Sequence, residues 1–146
     1  MSFVFDKNDM LFISDQQRAA IITACVSAAM ADGNINDAEI ARMEAEVVKV
    51  PWGMPRELID EIAKQAMQNL SQIKDAKGVM DYITRTAATL PPGPIREKTL
   101  YLIASVMMAD KQVNDNEKIF LNAFAQAFAV PEDRLQAIAK ELLGGG

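Results

Sequence analysis

The stretch Met30-Ala31-Asp32-Gly33-Asn34-Ile35-Asn36-Asp37-Ala38-Glu39 returns as Met108-Ala109-Asp110-Lys111-Gln112-Val113-Asn114-Asp115-Asn116-Glu117, with Asp32 and Asp110 standing 78 positions apart. Each copy gathers side-chain oxygens: Asp32, Asn36, Asp37 and Glu39 in the first, Asp110, Asn114, Asp115 and Glu117 in the second. Oxygen donors of this kind suit a hard divalent cation of calcium or magnesium character. The chain has no histidine and a single cysteine, Cys25, so imidazole and paired thiolates are missing as ligands for softer metals. The turn is not an EF-hand, which needs glycine at its sixth position and a bidentate glutamate at its twelfth. Counted from the two leading aspartates, those positions hold Asp37 and Met43, then Asp115 and Leu121.

Helix capping explains part of each set without any ligand. Asn at the cap, Asp in the first turn and Glu at the third position all favour a helix N-terminus. Asp32 and Asp110 are different, because each follows an apolar helical run, where the macrodipole disfavours an anion by up to about 1 kcal/mol. A bound cation, the free amides of the next helix or a basic side chain from a neighbour would each account for that repeated choice. Lys111 stands where the first copy has Gly33, so the first turn is the better ion candidate.

The turns must be held by helices, and the periodicity supplies them. Ser14 or Asp15 starts the first long helix, whose interior face runs through Ile21, Ile22, Cys25, Val26, Ala29 and Met30. Asn36 starts the second, with Ile40, Met43, Val47 and Val48 inside and Arg42, Glu44, Glu46 and Lys49 turned mainly to water. Pro51, Trp52, Gly53 and Pro55 break it, and Trp52 is expected to plug the core rather than form a ligand platform. Helices over residues 55–70 and 75–90 follow, then Pro91-Pro92-Gly93-Pro94 closes the first half. The second half repeats with helices over residues 95–109, from Asn114, and from about residue 130. Phe120, Leu121, Phe124 and Phe128 make the helix after Asn114 strongly apolar and place it at the centre of the fold. Residues 130–140 echo residues 54–64 at an offset of 76, two fewer than between the turns. An insertion around Trp52-Gly53 accounts for the difference.

No alternating strand pattern of useful length is present. The expected fold is therefore all-α, a single compact bundle of about seven helices built from two related halves, 14–90 and 94–143. Residues 1–13 read as an arm or short helix laid across the core, with a membrane-touching or partner-binding arm as the alternative, and residues 144–146 read as a flexible tail.

Composition narrows the function. A formal net charge of -5 without a basic run argues against a nucleic-acid partner and a polybasic membrane patch. No apolar segment is long enough for a membrane span, and the start lacks the basic and apolar blocks of a signal peptide. A lone cysteine in an Ala-rich helix suggests a buried thiol and suits a reducing compartment. No Ser or Cys has a His partner and no glycine-rich turn leads into a helix, so the chain is not expected to be an enzyme. A carboxylate-metal hydrolase built on Asp32 and Glu39 is the weakest alternative.

The stretches 28–43, AAMADGNINDAEIARM, and 106–121, VMMADKQVNDNEKIFL, resemble the tellurite-resistance TerB-like family. That family's pattern is an apolar helix, an Ala-Asp-Gly turn and an acidic helix start with Glu, present near both ends of the domain. The resemblance runs from about residue 15 to residue 143. It implies an all-helical bacterial cytoplasmic domain tied to resistance to tellurite and other stresses, with protein partners including a membrane protein of the same system. It also implies an acidic, metal-attracting face centred on Asp32, Asp37 and Glu39 with Asp110, Asp115 and Glu117. Lys111 departs from the pattern at the second glycine. The module is also similar to the cytoplasmic part of some membrane-anchored DnaJ-like co-chaperones. A pure protein–protein interaction domain, in which the acidic turns only cap helices and the apolar N-terminal arm or a Met-rich groove meets the partner, is accordingly the alternative function.

Overall fold

The computed structural model describes residues 3–30, 37–107 and 115–144, without the side chains of 37–40, 42, 76, 107, 115–118, 120, 143 and 144. These residues form eight α-helices and no strand: α1 Lys7–Leu11, α2 Asp15–Ala29, α3 Asp37–Val48, α4 Arg56–Ser71, α5 Ala76–Ala88, α6 Pro94–Met107, α7 Asp115–Ala127 and α8 Glu132–Gly144. The all-α class is as the periodicity predicts. The helix beyond the expected seven is α1, the short helix within the N-terminal arm.

Local chemistry sets the helix starts. The Ser14 hydroxyl accepts the Gln17 amide at 3.1 Å, and Gln17 Oε1 accepts the Ser14 amide at 2.9 Å, a complete capping box for α2. Asp75 caps α5 by accepting the Gly78 amide at 2.6 Å. The Trp52 break is closed as expected, since Trp52 is buried and its Nε1 donates to the Val47 carbonyl at 2.8 Å. Gly53 follows with a φ of 72°, a left-handed backbone that glycine adopts without a Cβ penalty.

The hub of the bundle is α2. Its consecutive rows Ala20-Ala24-Ala28 and Ile21-Cys25-Ala29, together with Ile22 and Val26, are all buried. Side chains this small let neighbours approach on every side, and α2 packs against α3, α4, α5 and α6. A helix apolar all round belongs in the interior. This corrects the expectation that the Phe-rich helix is central. Phe124 and Phe128 are fully buried with ring centroids 6.1 Å apart, yet Ile119 is exposed and Leu121 only half-buried. Large aromatics let α7 fill the core from one face, against α5 and α6; a place among four helices requires small residues instead.

Among the described residues, the two buried hydroxyls of this core are satisfied within their own helices. The buried Thr99 hydroxyl donates to the Ile95 carbonyl at 2.7 Å, and the buried Ser27 hydroxyl to the Thr23 carbonyl at 2.9 Å. Arg96, in the first turn of α6, donates to the Leu90 carbonyl through Nε at 3.1 Å and Nη2 at 2.9 Å, and to the Phe128 carbonyl through Nη1 at 3.2 Å. One guanidinium thus joins the ends of α5 and α7.

The N-terminal arm docks. Phe3, Phe5, Met10 and Ile13 are buried, Phe3 stacks on Tyr101 of α6 at 6.0 Å, and Arg134 of α8 lies over the Phe3 ring at 5.3 Å. Lys98 of α6 pairs with Asp9 at 2.7 Å, and Arg18 of α2 donates to the Met10 carbonyl at 2.6 Å. Leu11 and Phe12 are left 77% and 84% exposed. A second correction concerns Glu46. Its side chain, read as facing water, is only 14% exposed, because that side of α3 packs against α6.

Candidate functional site

Each acidic stretch stands in the sequence between a helix with many buried residues and an amphipathic one. The first follows α2, which ends at Ala29 with Met30 as its C-cap, and precedes α3; the second follows α6, ending at Met107, and precedes α7. Asp37 and Asp115 are the first residues of α3 and α7, and Glu39 and Glu117 the third. Asp32, Asn36, Asp110 and Asn114 lie outside the described residues, as do the side chains of Asp37, Glu39, Asp115 and Glu117. Among the described residues no group of three or more His, Cys, Asp or Glu is placed to hold a metal ion.

The described titratable groups with shifted pKa values belong to packing and capping. Burial pushes the Cys25 thiol far above its ordinary range, and the Glu46 carboxylate adds to the rise. A thiol held protonated is a poor nucleophile, and so poor equipment for attacking an oxyanion. The Tyr101 phenol is raised by burial first and by the Glu141 and Glu46 carboxylates second. Asp6 is lowered chiefly because the Asp9 amide donates to its carboxylate at 2.9 Å, with the Lys98 charge contributing. The Asp6 and Tyr101 shifts trace the seam where the arm meets α6 and α8.

Sequence reasoning raised a Met-rich groove without placing it; the structure has an apolar groove of about 210 Å³ between α3 and α4, with Met43 and Met67 in its lining. Buried Ile22 of α2, Met43 and Val47 form its deeper wall, while Val48, Ile59, Ala63 and Met67 remain partly accessible. Glu44, Arg56, Asp60 and Lys64 stand around it. A signal for it was present in Val48, an apolar residue that widens the stripe of α3 beyond what α2 covers and is more than two-fifths exposed.

An all-helical bundle in which two buried helices are each followed in the sequence by a repeated acidic stretch is the class that fold and sequence define together. The chain belongs to the TerB family: the family model described as tellurite resistance protein TerB matches residues 18–140. That span begins within α2, reaches into α8 and leaves the N-terminal arm outside. No curated protein and no solved structure matches the chain.

Proposed function

We propose that this TerB domain is a non-enzymatic binding module of bacterial stress response or tellurite resistance. Its repeated acidic turns bind a divalent cation, of calcium or magnesium type, through Asp32, Asp37 and Glu39 with Asn36, and in the second copy through Asp110, Asp115 and Glu117. The observation that carries this reading is the repeated aspartate just beyond the C-terminal end of a buried helix. Neither α2 nor α6 has a basic residue in its last turn to compensate that charge. Tellurite itself is not the chemical target, since the one thiol is buried and protonated. The module acts in the cytoplasm, and the ion-bearing face meets a protein partner, in this reading a membrane protein of the same system.

A second reading is favoured by the start of α3 at Asp37 and of α7 at Asp115, the residues directly after the two asparagines. There the acids only cap helices, and the domain is a co-chaperone-like interaction module. Calorimetric titration with calcium, magnesium and manganese separates the two. The ion-binding reading expects a saturable isotherm for the native chain and none for the Asp32→Ala, Asp110→Ala double variant, with unchanged circular dichroism. An isotherm that survives the double substitution, or no isotherm at millimolar ion, sinks it.

A further inference from the structure

The groove between α3 and α4 lies away from the arm and requires no ion. α3 and α4 both pack on α2, which leaves Ile22 as the floor between them and Val48, Ile59, Ala63 and Met67 along the walls. At about 210 Å³ it is smaller than the roughly 300–1,000 Å³ of pockets that enclose a drug-sized ligand. It is also long: from Arg56 to Met67 along α4 is about 16 Å at the α-helical rise. A short row of apolar side chains suits that shape better than one compact molecule. The two wall methionines can repack around whichever side chains enter.

The rim decides which partner. Along α4 it reads positive, negative, positive at Arg56, Asp60 and Lys64, one helical turn apart, and α3 contributes Glu44 opposite. All four are exposed, and none makes an ion pair among the described residues. With two acids and two bases the rim has no net charge, so it offers no basic patch to an anionic lipid surface or a nucleic acid. From this the geometry points to an amphipathic helix of a partner protein, seated on the groove by apolar residues at i, i+3 or i+4, and i+7. Its flank toward α4 carries acid, base, acid at successive i, i+4, i+8 positions, and its flank toward α3 carries a base. Because the α4 pattern is the same in both directions, charge alone does not fix the helix polarity. This inference goes beyond the ion-binding reading and does not depend on it.

Two fluorescent peptides of roughly fifteen residues, long enough to form a helix on binding, provide the test. Both carry leucines at the anchor positions; one bears Glu-Lys-Glu on the α4 flank and the other Lys-Glu-Lys. Anisotropy titrations in EDTA should show the first binding the native chain at least about tenfold more tightly, which is about 1.4 kcal/mol. The preference should invert in an Arg56→Glu, Asp60→Lys, Lys64→Glu variant, whose substituted side chains are exposed and spare the fold. Ala63→Glu should abolish binding of both, with native circular dichroism, and amide shifts should centre on Val48, Ile59, Ala63 and Met67. Equal affinity for the two peptides, or no shift at the groove, overturns the proposal. So does a self-associated native chain that Ala63→Glu makes monomeric, which would make the occupant a second copy. Competition by anionic phosphatidylglycerol vesicles would equally overturn it.

Discussion

At the scale of single residues, the acids of the repeated turns and the groups of the core obey different constraints. Cys25 is fully buried with its thiol held protonated, so dithionitrobenzoate should leave it unmodified in the native protein and react with it fully in denaturant. Rapid reaction of the native chain would show that α2 is not the hub. Trp52 gives a second check. Trp52→Phe keeps the apolar plug but removes the donor to Val47, whose carbonyl also accepts the Val50 amide at 3.1 Å. With one bond left on that carbonyl, the cost by urea denaturation should be about 1 kcal/mol. The repeated aspartates were legible in the sequence because their type and spacing recur, whatever surrounds them. The burial of Glu46 was not, because whether the polar side of a helix meets water depends on a helix some fifty residues distant.

Helix starts depend on neighbours in the chain, and the sequence reading located them to within a residue or two: Ser14 before α2, Asp75 before α5, the Pro91–Pro94 break before α6. Packing order depends on the volume available on every side, which is why the Phe-rich α7 reads as central from its sequence while the Ala-rich α2 takes that place. Gly78 separates local from tertiary effects. Helix propensity alone predicts that Gly78→Ala stabilises α5 by up to about 1 kcal/mol. A Cβ there would lie 2.6 Å from Ile73 Cγ2 and 2.9 Å from the capping Asp75 Oδ1. Ile73 is stiff and Asp75 is engaged as the cap, so the substitution should instead destabilise by about 1–2 kcal/mol, read from thermal unfolding. A gain in stability would show that the cap can shift. For the arm, Phe3→Ala removes both the Tyr101 stack and the Arg134 contact. Hydrogen exchange should then quicken over residues 5–13 while α2 and α6 stay protected; loss of protection throughout would make the arm part of the core.

At the scale of the whole molecule, the described groups with shifted titration contribute to how stability varies with pH. Asp6 is lowered, so its contribution is present above the ordinary carboxylate range and is lost as pH falls through its folded value. Cys25 and Tyr101 are raised, so their contribution is complete below about pH 8.5, the ordinary thiol value. It is lost as pH rises further and the unfolded chain ionises first. Stability should therefore fall on the alkaline side, and a Cys25→Ala, Tyr101→Phe variant should show a flatter alkaline limb in urea titrations at successive pH. An unchanged slope would assign the fall to other groups. The groove between α3 and α4 belongs to this scale too, since only the assembled bundle shows which apolar residues remain uncovered.

The central claim, that the two acidic turns of this TerB domain are ion sites, is tested most directly by amide NMR during titration with calcium and magnesium, and by broadening with manganese. Saturable shifts are expected at Gly33 and around Asp110, stronger at the first turn because Lys111 replaces glycine in the second, and lost in the Asp32→Ala, Asp110→Ala variant. No local response at millimolar ion would contradict that claim, leaving the repeated acids as helix caps and surface charge.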